Sequence, residues 1–234
     1  MRLILHSIMI TILLVLMSCS KDVIIEEAGF EKSFSIAKKK YNNNNFREAI
    51  DDLNVIMLNY GGVAGIDSVQ YMIGESHYRL SEFYSASYEF VRLTEMYPES
   101  YLVEDAYFMD AESYYNLSPR YALDQTDTHK AISKYQLYLD LFPKGKKVKL
   151  AEQRISELRE KLARKEYEAA MLYLNLRQPR AAKIYFSEVI NNFYDTSYYV
   201  NSLKGIAQAF LDMDNVEEYE KFMSRYSNVN KRDE

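Results

Sequence analysis

The sequence predicts an all-α fold, a tetratricopeptide-like solenoid of about five antiparallel helix pairs coiled into a right-handed superhelix. Glycine and proline are scarce, with 7 and 4 copies in 234 residues, which favours helices over a β-sandwich. Small and large apolar residues recur with a period of 37 residues. The segment 146–178 contains neither glycine nor proline and carries apolar side chains at helical spacing.

Each predicted first helix carries one small residue of the repeat. Successive small residues lie 37 positions apart: Ala37, Gly74 and Ala111. Each predicted second helix carries a small residue followed four positions later by a large one: Ala49 and Leu53, Ala86 and Phe90, Ala131 and Tyr135. Residues four apart share a helix face. We expect the small residues to let paired helices approach and the large ones to fill the space against the next pair.

Two further units follow the first three. The fourth is clear in its second half, with Ala182, Phe186, Val189 and Phe193, and the fifth is degenerate, as is typical of a solenoid cap. Segment 146–178, which precedes them, predicts either one helix of about 30 residues or two helices with a turn near Arg164. The sequence leaves both possibilities open.

The N-terminus has the pattern of a secretory signal that ends at Cys19, the one cysteine of the chain. Arg2 precedes an apolar run from Ile4 to Leu16, and this run is shorter than the ~20 residues that span a bilayer. Leu16 and Ser18 resemble a bacterial lipobox. That resemblance implies cleavage before Cys19 and attachment of fatty acyl chains such as palmitate, and Ser20 favours the outer membrane. An ordinary signal peptide with an incidental cysteine is the alternative.

The predicted organisation has five parts. They are a signal peptide (1–18), a lipidated linker (19–29), an N-terminal lobe of three repeats (30–145), a long connecting helix with a C-terminal lobe (146–226), and a disordered tail (227–234). An insertion at 116–127 lengthens the turn of the third repeat. It places Arg120, Asp124 and Gln125 in one polar stretch that suits either partner recognition or hydrogen bonding within the loop.

These features together resemble the BamD family, the lipoprotein subunits of the outer-membrane β-barrel assembly machinery. The resemblance lies in the lipobox, the repeats, the Ser118-Pro119-Arg120 and Leu123-Asp124-Gln125 segments of the insertion, and the run Leu162-Ala163-Arg164-Lys165-Glu166. It implies a lipid-anchored protein on the periplasmic face of the outer membrane. It also implies that residues 30–100 bind unfolded barrel proteins and that residues 163–226 bind the barrel-forming central subunit.

No constellation in the sequence indicates catalysis, and we predict no enzyme activity, metal or cofactor. His77 and His129 have no histidine or cysteine at ligand spacing, and no glycine-rich phosphate loop occurs. The net charge of −5 argues against nucleic-acid binding.

Peptide binding is the expected mechanism. The candidate lining residues lie on the first helix of the second repeat: Tyr71, Glu75, Tyr78 and Arg79. Two alternatives are a periplasmic repeat lipoprotein that binds cell-wall glycan and a general peptide-binding adaptor.

Overall fold

A computed structural model of the chain describes residues 29–230. The predicted signal peptide and Cys19 lie outside the described residues. Within this range the regular elements are ten α-helices and no strand, so the predicted fold class is confirmed. The helices are α1 (Phe30–Asn42), α2 (Phe46–Tyr60), α3 (Ile66–Arg79), α4 (Phe83–Met96), α5 (Val103–Leu117), α6 (Thr126–Leu141), α7 (Val148–Asn175), α8 (Pro179–Asn192), α9 (Tyr198–Asp212) and α10 (Val216–Asn230).

The chain forms two compact units, which we call unit 1 and unit 2. Unit 1 ends at Ser113 and unit 2 begins at Tyr114, so the division falls inside α5. The predicted boundary after residue 145 therefore lies within unit 2. Helix α10 extends to Asn230, four residues into the segment predicted as a tail. Among the described residues, none of the helices is both long and apolar enough to cross a bilayer.

In each unit, helices that follow one another along the chain pack together. In unit 1, α2 packs on α1 and α3, and α4 packs on α3. In unit 2, α7 packs on α6 and α8, and α9 packs on α8, α10 and α7. The small residues of the repeat are buried as expected, with Ala37, Ala49, Ala86, Ala111, Ala131 and Ala182 fully inaccessible.

At positions 74 and 205 a phenylalanine ring occupies the space that a side chain would need, which explains the glycine at each. A Cβ added to Gly74 would lie 2.8 Å from the ring of Phe90 on the paired helix α4. Gly205 on α9 receives the ring of Phe186, which lies on the preceding helix α8. Phe186 thus fills space against the following repeat, as the sequence predicted, whereas Phe90 packs against the first helix of its own pair.

Four of the five turns inside helix pairs share one backbone conformation, and the fifth holds the insertion. Asn44, Ser81, Arg177 and Asp214 all have positive φ, between 55° and 63°. In each turn the next residue donates its N–H to a carbonyl five positions earlier, for example Asn45 to Lys40 at 3.0 Å and Glu82 to His77 at 2.9 Å. This is the hydrogen bond that closes a helix with a left-handed residue.

Segment 146–178 forms one helix of 28 residues, α7, rather than two. Its middle is fixed by Arg159, which donates to both carboxylate oxygens of Asp195, at 2.7 and 2.6 Å, and to the carbonyl of Asn192 at 2.7 Å. These bonds lower the pKa of the Asp195 carboxyl. They tie the turn between α8 and α9 to α7.

Gly205→Ala should lower the free energy of unfolding by about 1–2 kcal/mol, because overpacking costs more than the helix propensity that alanine gains. Urea unfolding measures this change. Gly62→Ala is the control, because a Cβ there has no atom within 4 Å. Adding Phe186→Leu to Gly205→Ala should recover part of the lost stability. A Gly205→Ala chain as stable as the wild type would contradict the tight contact.

Asp195→Asn should destabilise the chain by about 1 kcal/mol at pH 7, the size expected for a partly exposed charge pair. The folded-state pKa is lowered, so the stabilisation is complete above the unfolded value, about 4, and is lost as the pH falls through the folded value. Urea unfolding of both chains from pH 7 to pH 2 should show their difference shrinking below about pH 4.

The matched control is Asp140→Asn, because Asp140 accepts from the neutral amide of Gln136. At pH 7 the Asp140→Asn chain should stay within about 0.5 kcal/mol of the wild type. A difference between wild type and Asp195→Asn that stays constant with pH would refute the linkage.

Candidate functional site

The candidate lining residues lie on α3 and belong to a polar cluster of unit 1 shared by three first helices. The Tyr41 hydroxyl of α1 hydrogen-bonds with both Glu75 and Arg79. The charges of Glu75 and of Asp105, from α5, act on the Tyr71 hydroxyl. We call Tyr41, Tyr71, Glu75, Arg79 and Asp105 the first-helix cluster.

The tyrosine rings of α3 are held in place by the core beneath them. The ring centroid of Tyr71 lies 5.4 Å from that of Phe90, and that of Tyr78 lies 5.4 Å from that of Phe83. Both tyrosines are half-buried against the core of α4. The exposed Arg79 places its guanidinium 5.0 Å from the centre of the Phe46 ring. The structure therefore places the four predicted residues on one helix and packs the rings of Tyr71 and Tyr78 against the core.

Burial governs the ionisation of the two tyrosines in the cluster. It is the main cause that raises the pKa of Tyr71, and the carboxylates of Glu75 and Asp105 raise it further. Burial and then Glu75 likewise raise the pKa of Tyr41, while Arg79 opposes them. Both hydroxyls remain protonated at neutral pH and can donate hydrogen bonds.

Sequence reasoning missed Tyr41 and Asp105 as members of the cluster. A signal for Tyr41 was present, since Tyr41 and Phe46 are spaced 37 residues from Tyr78 and Phe83. The structure repeats the contact as well, with edge-on rings at 5.3 and 5.4 Å. Asp105 carried no comparable signal, because its role depends on how α5 lies beside α3.

The inserted loop of unit 2 is held together by Gln125. Its side chain is buried, with 5% exposed, and its amide nitrogen donates to the carbonyls of Arg120, Tyr121 and Leu123 at 2.9, 3.4 and 3.0 Å. Its amide oxygen accepts from the Thr128 hydroxyl at 2.7 Å. Of the two roles that the sequence allowed for Gln125, the geometry supports hydrogen bonding within the loop.

Arg120 and Asp124, in contrast, are exposed on the same loop. Asp124 accepts from the backbone N–H of Thr126 at 2.9 Å at the start of α6. Hydrogen bonds from the Thr126 side chain and backbone lower the pKa of Asp124. A partner can reach both charged side chains without opening the loop.

Three cationic side chains of α7 hold this loop from outside. Lys161 donates to the Ser118 hydroxyl at 2.8 Å, and Lys165 donates to the Leu123 carbonyl at 2.7 Å. The guanidinium of Arg164 lies 4.2 Å from the centre of the Tyr121 ring. Burial lowers the pKa of Lys161. The insertion and the segment Leu162–Glu166, which the resemblance named separately, are thus parts of one structure.

Within residues 29–230, no group of three or more histidine, cysteine, aspartate or glutamate side chains is arranged to hold a metal ion. The first-helix cluster itself offers aromatic area, a hydroxyl donor and fixed charges, which are groups that bind polypeptides.

The model of the YfiO family, described as outer membrane lipoprotein, matches residues 27–224. The chain belongs to the YfiO family. The resemblance to BamD is confirmed by two relatives named outer membrane protein assembly factor BamD. The protein from Rickettsia prowazekii is 25% identical over 187 residues, which cover 80% of this chain and 72% of the relative. The protein from Caulobacter vibrioides is 23% identical over 189 residues, which cover 81% of this chain and 62% of the relative, less than two thirds of its length.

Among solved structures, the TPR2AB domain of yeast Sti1 in its complex with pHSP90 is similar to this YfiO-family chain. The match covers 82% of this chain and 74% of that chain, with a TM-score of 0.49 and 17% sequence identity.

Gln125→Ala should lower the free energy of unfolding by about 2 kcal/mol, because the loop carbonyls lose the buried amide that donates to them. Chemical unfolding followed by circular dichroism measures the change. Arg120→Ala on the same loop should stay within about 0.5 kcal/mol of the wild type. Equal stability of Gln125→Ala and Arg120→Ala would show that the amide does not hold the loop.

Proposed function

We propose that this chain is a lipid-anchored scaffold of outer-membrane β-barrel assembly, attached through Cys19 to the periplasmic face of the outer membrane. In this role it binds segments of unfolded outer-membrane proteins and the barrel-forming central subunit, and so promotes barrel folding and insertion. The observation that carries the proposal is the first-helix cluster with Tyr78, in a family whose relatives are named as assembly factors.

The chemistry of the cluster suits a segment of a barrel protein. Such segments are amphipathic and end in aromatic residues. Half-buried tyrosine rings offer flat contact area at low entropic cost, and the protonated hydroxyl of Tyr71 can donate to a peptide carbonyl. Glu75 and Arg79 carry opposite charges one helical turn apart, and fixed charges favour one register of a bound chain.

The second binding region of the proposal is the C-terminal part of unit 2, residues 163–226. An open groove of about 600 Å³ lies along α8, α9 and α10. Its lining includes Lys183, Phe210, Glu218 and Ile184, and the Ile184 side chain is 69% exposed. An exposed aliphatic side chain between charged ones is suited to a protein partner. We assign this groove, together with Arg120 and Asp124 of the loop, to binding of the central subunit.

Replacing Tyr71 and Tyr78 together by alanine should weaken binding of a barrel-derived C-terminal peptide about tenfold or more, because two rings of the binding face are lost. Fluorescence titration with a labelled peptide measures the affinity. The matched control replaces Tyr84 and Tyr88, exposed tyrosines of the second helix α4, and should leave affinity unchanged.

Circular dichroism verifies that each variant keeps its helices. A peptide affinity that is unchanged in the folded Tyr71 and Tyr78 variant would overturn the assignment. Muropeptides added as competitors distinguish the glycan alternative, because displacement of the peptide by them would favour that reading of the site.

A further inference from the structure

The two ends of the helix pairs in unit 1 differ in polarity. At one end, α1 begins, residues 61–65 connect α2 to α3, and residues 97–102 connect α4 to α5. These parts touch one another. The Phe30 ring lies 3.7 Å from a Cβ built on Gly65, and the Ser100 hydroxyl donates to Asp67 at 2.5 Å.

Four large apolar side chains are exposed at this end. Leu58 is 85% exposed, Tyr101 80%, Met96 55% and Val63 39%. We call Leu58, Val63, Met96 and Tyr101 the apolar rim. Val63 and Met96 border a shallow groove of about 610 Å³ between the two connections. Because the core does not use these side chains, their exposure has an unfavourable hydration free energy that a binding surface would relieve.

The opposite end of the same helix pairs is polar. It consists of the exposed asparagines 43–45, which connect α1 to α2, and of Ser81 and Glu82, which connect α3 to α4. Glu82 accepts hydrogen bonds there from His77 and Arg47 at 2.7 Å each. Tyr84, in the first turn of α4, is also exposed at this end. The exposed large aliphatic side chains of unit 1, Leu58, Val63 and Met96, all lie at the other end.

The apolar rim lies at the end where the anchor segment joins the fold. Gly29 directly precedes α1, and Cys19 is ten residues earlier in the sequence. Ten residues span at most about 35 Å when fully extended. This step rests on the proposed acyl anchor, which would keep the rim end of unit 1 within that distance of the bilayer.

We propose that the apolar rim is a membrane-contact surface that rests on the lipid headgroups. Tyrosine, with an apolar ring and a polar tip, is enriched at the level of the headgroups, and Leu58, Val63 and Met96 supply the apolar area that binds an interface. The charged side chains that line the groove are acidic, namely Asp67 and the exposed Glu99. The contact therefore depends on apolar area and not on attraction to anionic lipid.

The test uses the acylated full chain on phosphatidylcholine vesicles. The one native cysteine is blocked by its acyl groups, so a nitroxide can be attached to a single introduced cysteine. Val63→Cys and Tyr101→Cys probe the rim, and Asn43→Cys and Ser85→Cys are matched exposed controls near the polar end. For each label, collisions with oxygen, which concentrates in lipid, are compared with collisions with a water-soluble nickel complex.

The ratio of oxygen to nickel collisions should be several-fold higher at 63 and 101 than at 43 and 85. It should persist at high salt, and phosphatidylglycerol should not raise it. Equal ratios at both ends, or a rim signal that requires anionic lipid, would overturn the proposal. The mass of the mature chain tests the anchor separately. If the chain is acylated but the rim labels lie in water, the membrane-contact surface is overturned and the anchor stands. If the chain carries no acyl groups, both proposals are overturned.

Discussion

Each unit depends on the contact between a phenylalanine ring and a glycine on a neighbouring helix. The Phe90 ring occupies the space that a side chain of Gly74 would need, and Phe186 does the same at Gly205. A glycine inside a helix costs about 1 kcal/mol relative to alanine, while burying a phenylalanine contributes about 1.5–3 kcal/mol. Burying the ring therefore contributes more free energy than the glycine costs, and the contact fixes the distance between the helices.

The proposed binding face follows from this contact. Because Phe90 is fixed by Gly74, the Tyr71 ring that packs on it at 5.4 Å is fixed as well. The tyrosine hydroxyls and the charges of Glu75 and Arg79 then keep constant positions. Unit 2 obtains the same result by other means, since the buried amide of Gln125 and the α7 cations hold the loop that presents Arg120 and Asp124. Groups ordered before binding lose less entropy when a partner arrives.

The sequence was sufficient for the fold class and for placing the candidate residues of α3 on one helix, because both depend on local periodicity; their role in binding stays a prediction. Small and large residues at a spacing of 37 report helix pairs directly, and Tyr71, Glu75 and Tyr78 share one helix surface. The hydrogen bonds of Gln125 could not be predicted, since its three carbonyl partners depend on a loop conformation that the local sequence pattern does not encode. The continuity of α7 past Arg164 was also open, because the contacts of Arg164 and its neighbours are with a loop about forty positions earlier.

The four left-handed turn residues have a consequence for how such a chain can change in length. Asn44 and Ser81 are 37 positions apart, and so are Arg177 and Asp214. In both cases the spacing equals one helix pair. Losing or gaining one residue within a helix would rotate every later side chain by about 100° and expose the core, whereas copying a whole pair keeps the phase of all that follows. The architecture therefore favours growth by duplication of complete modules over gradual extension.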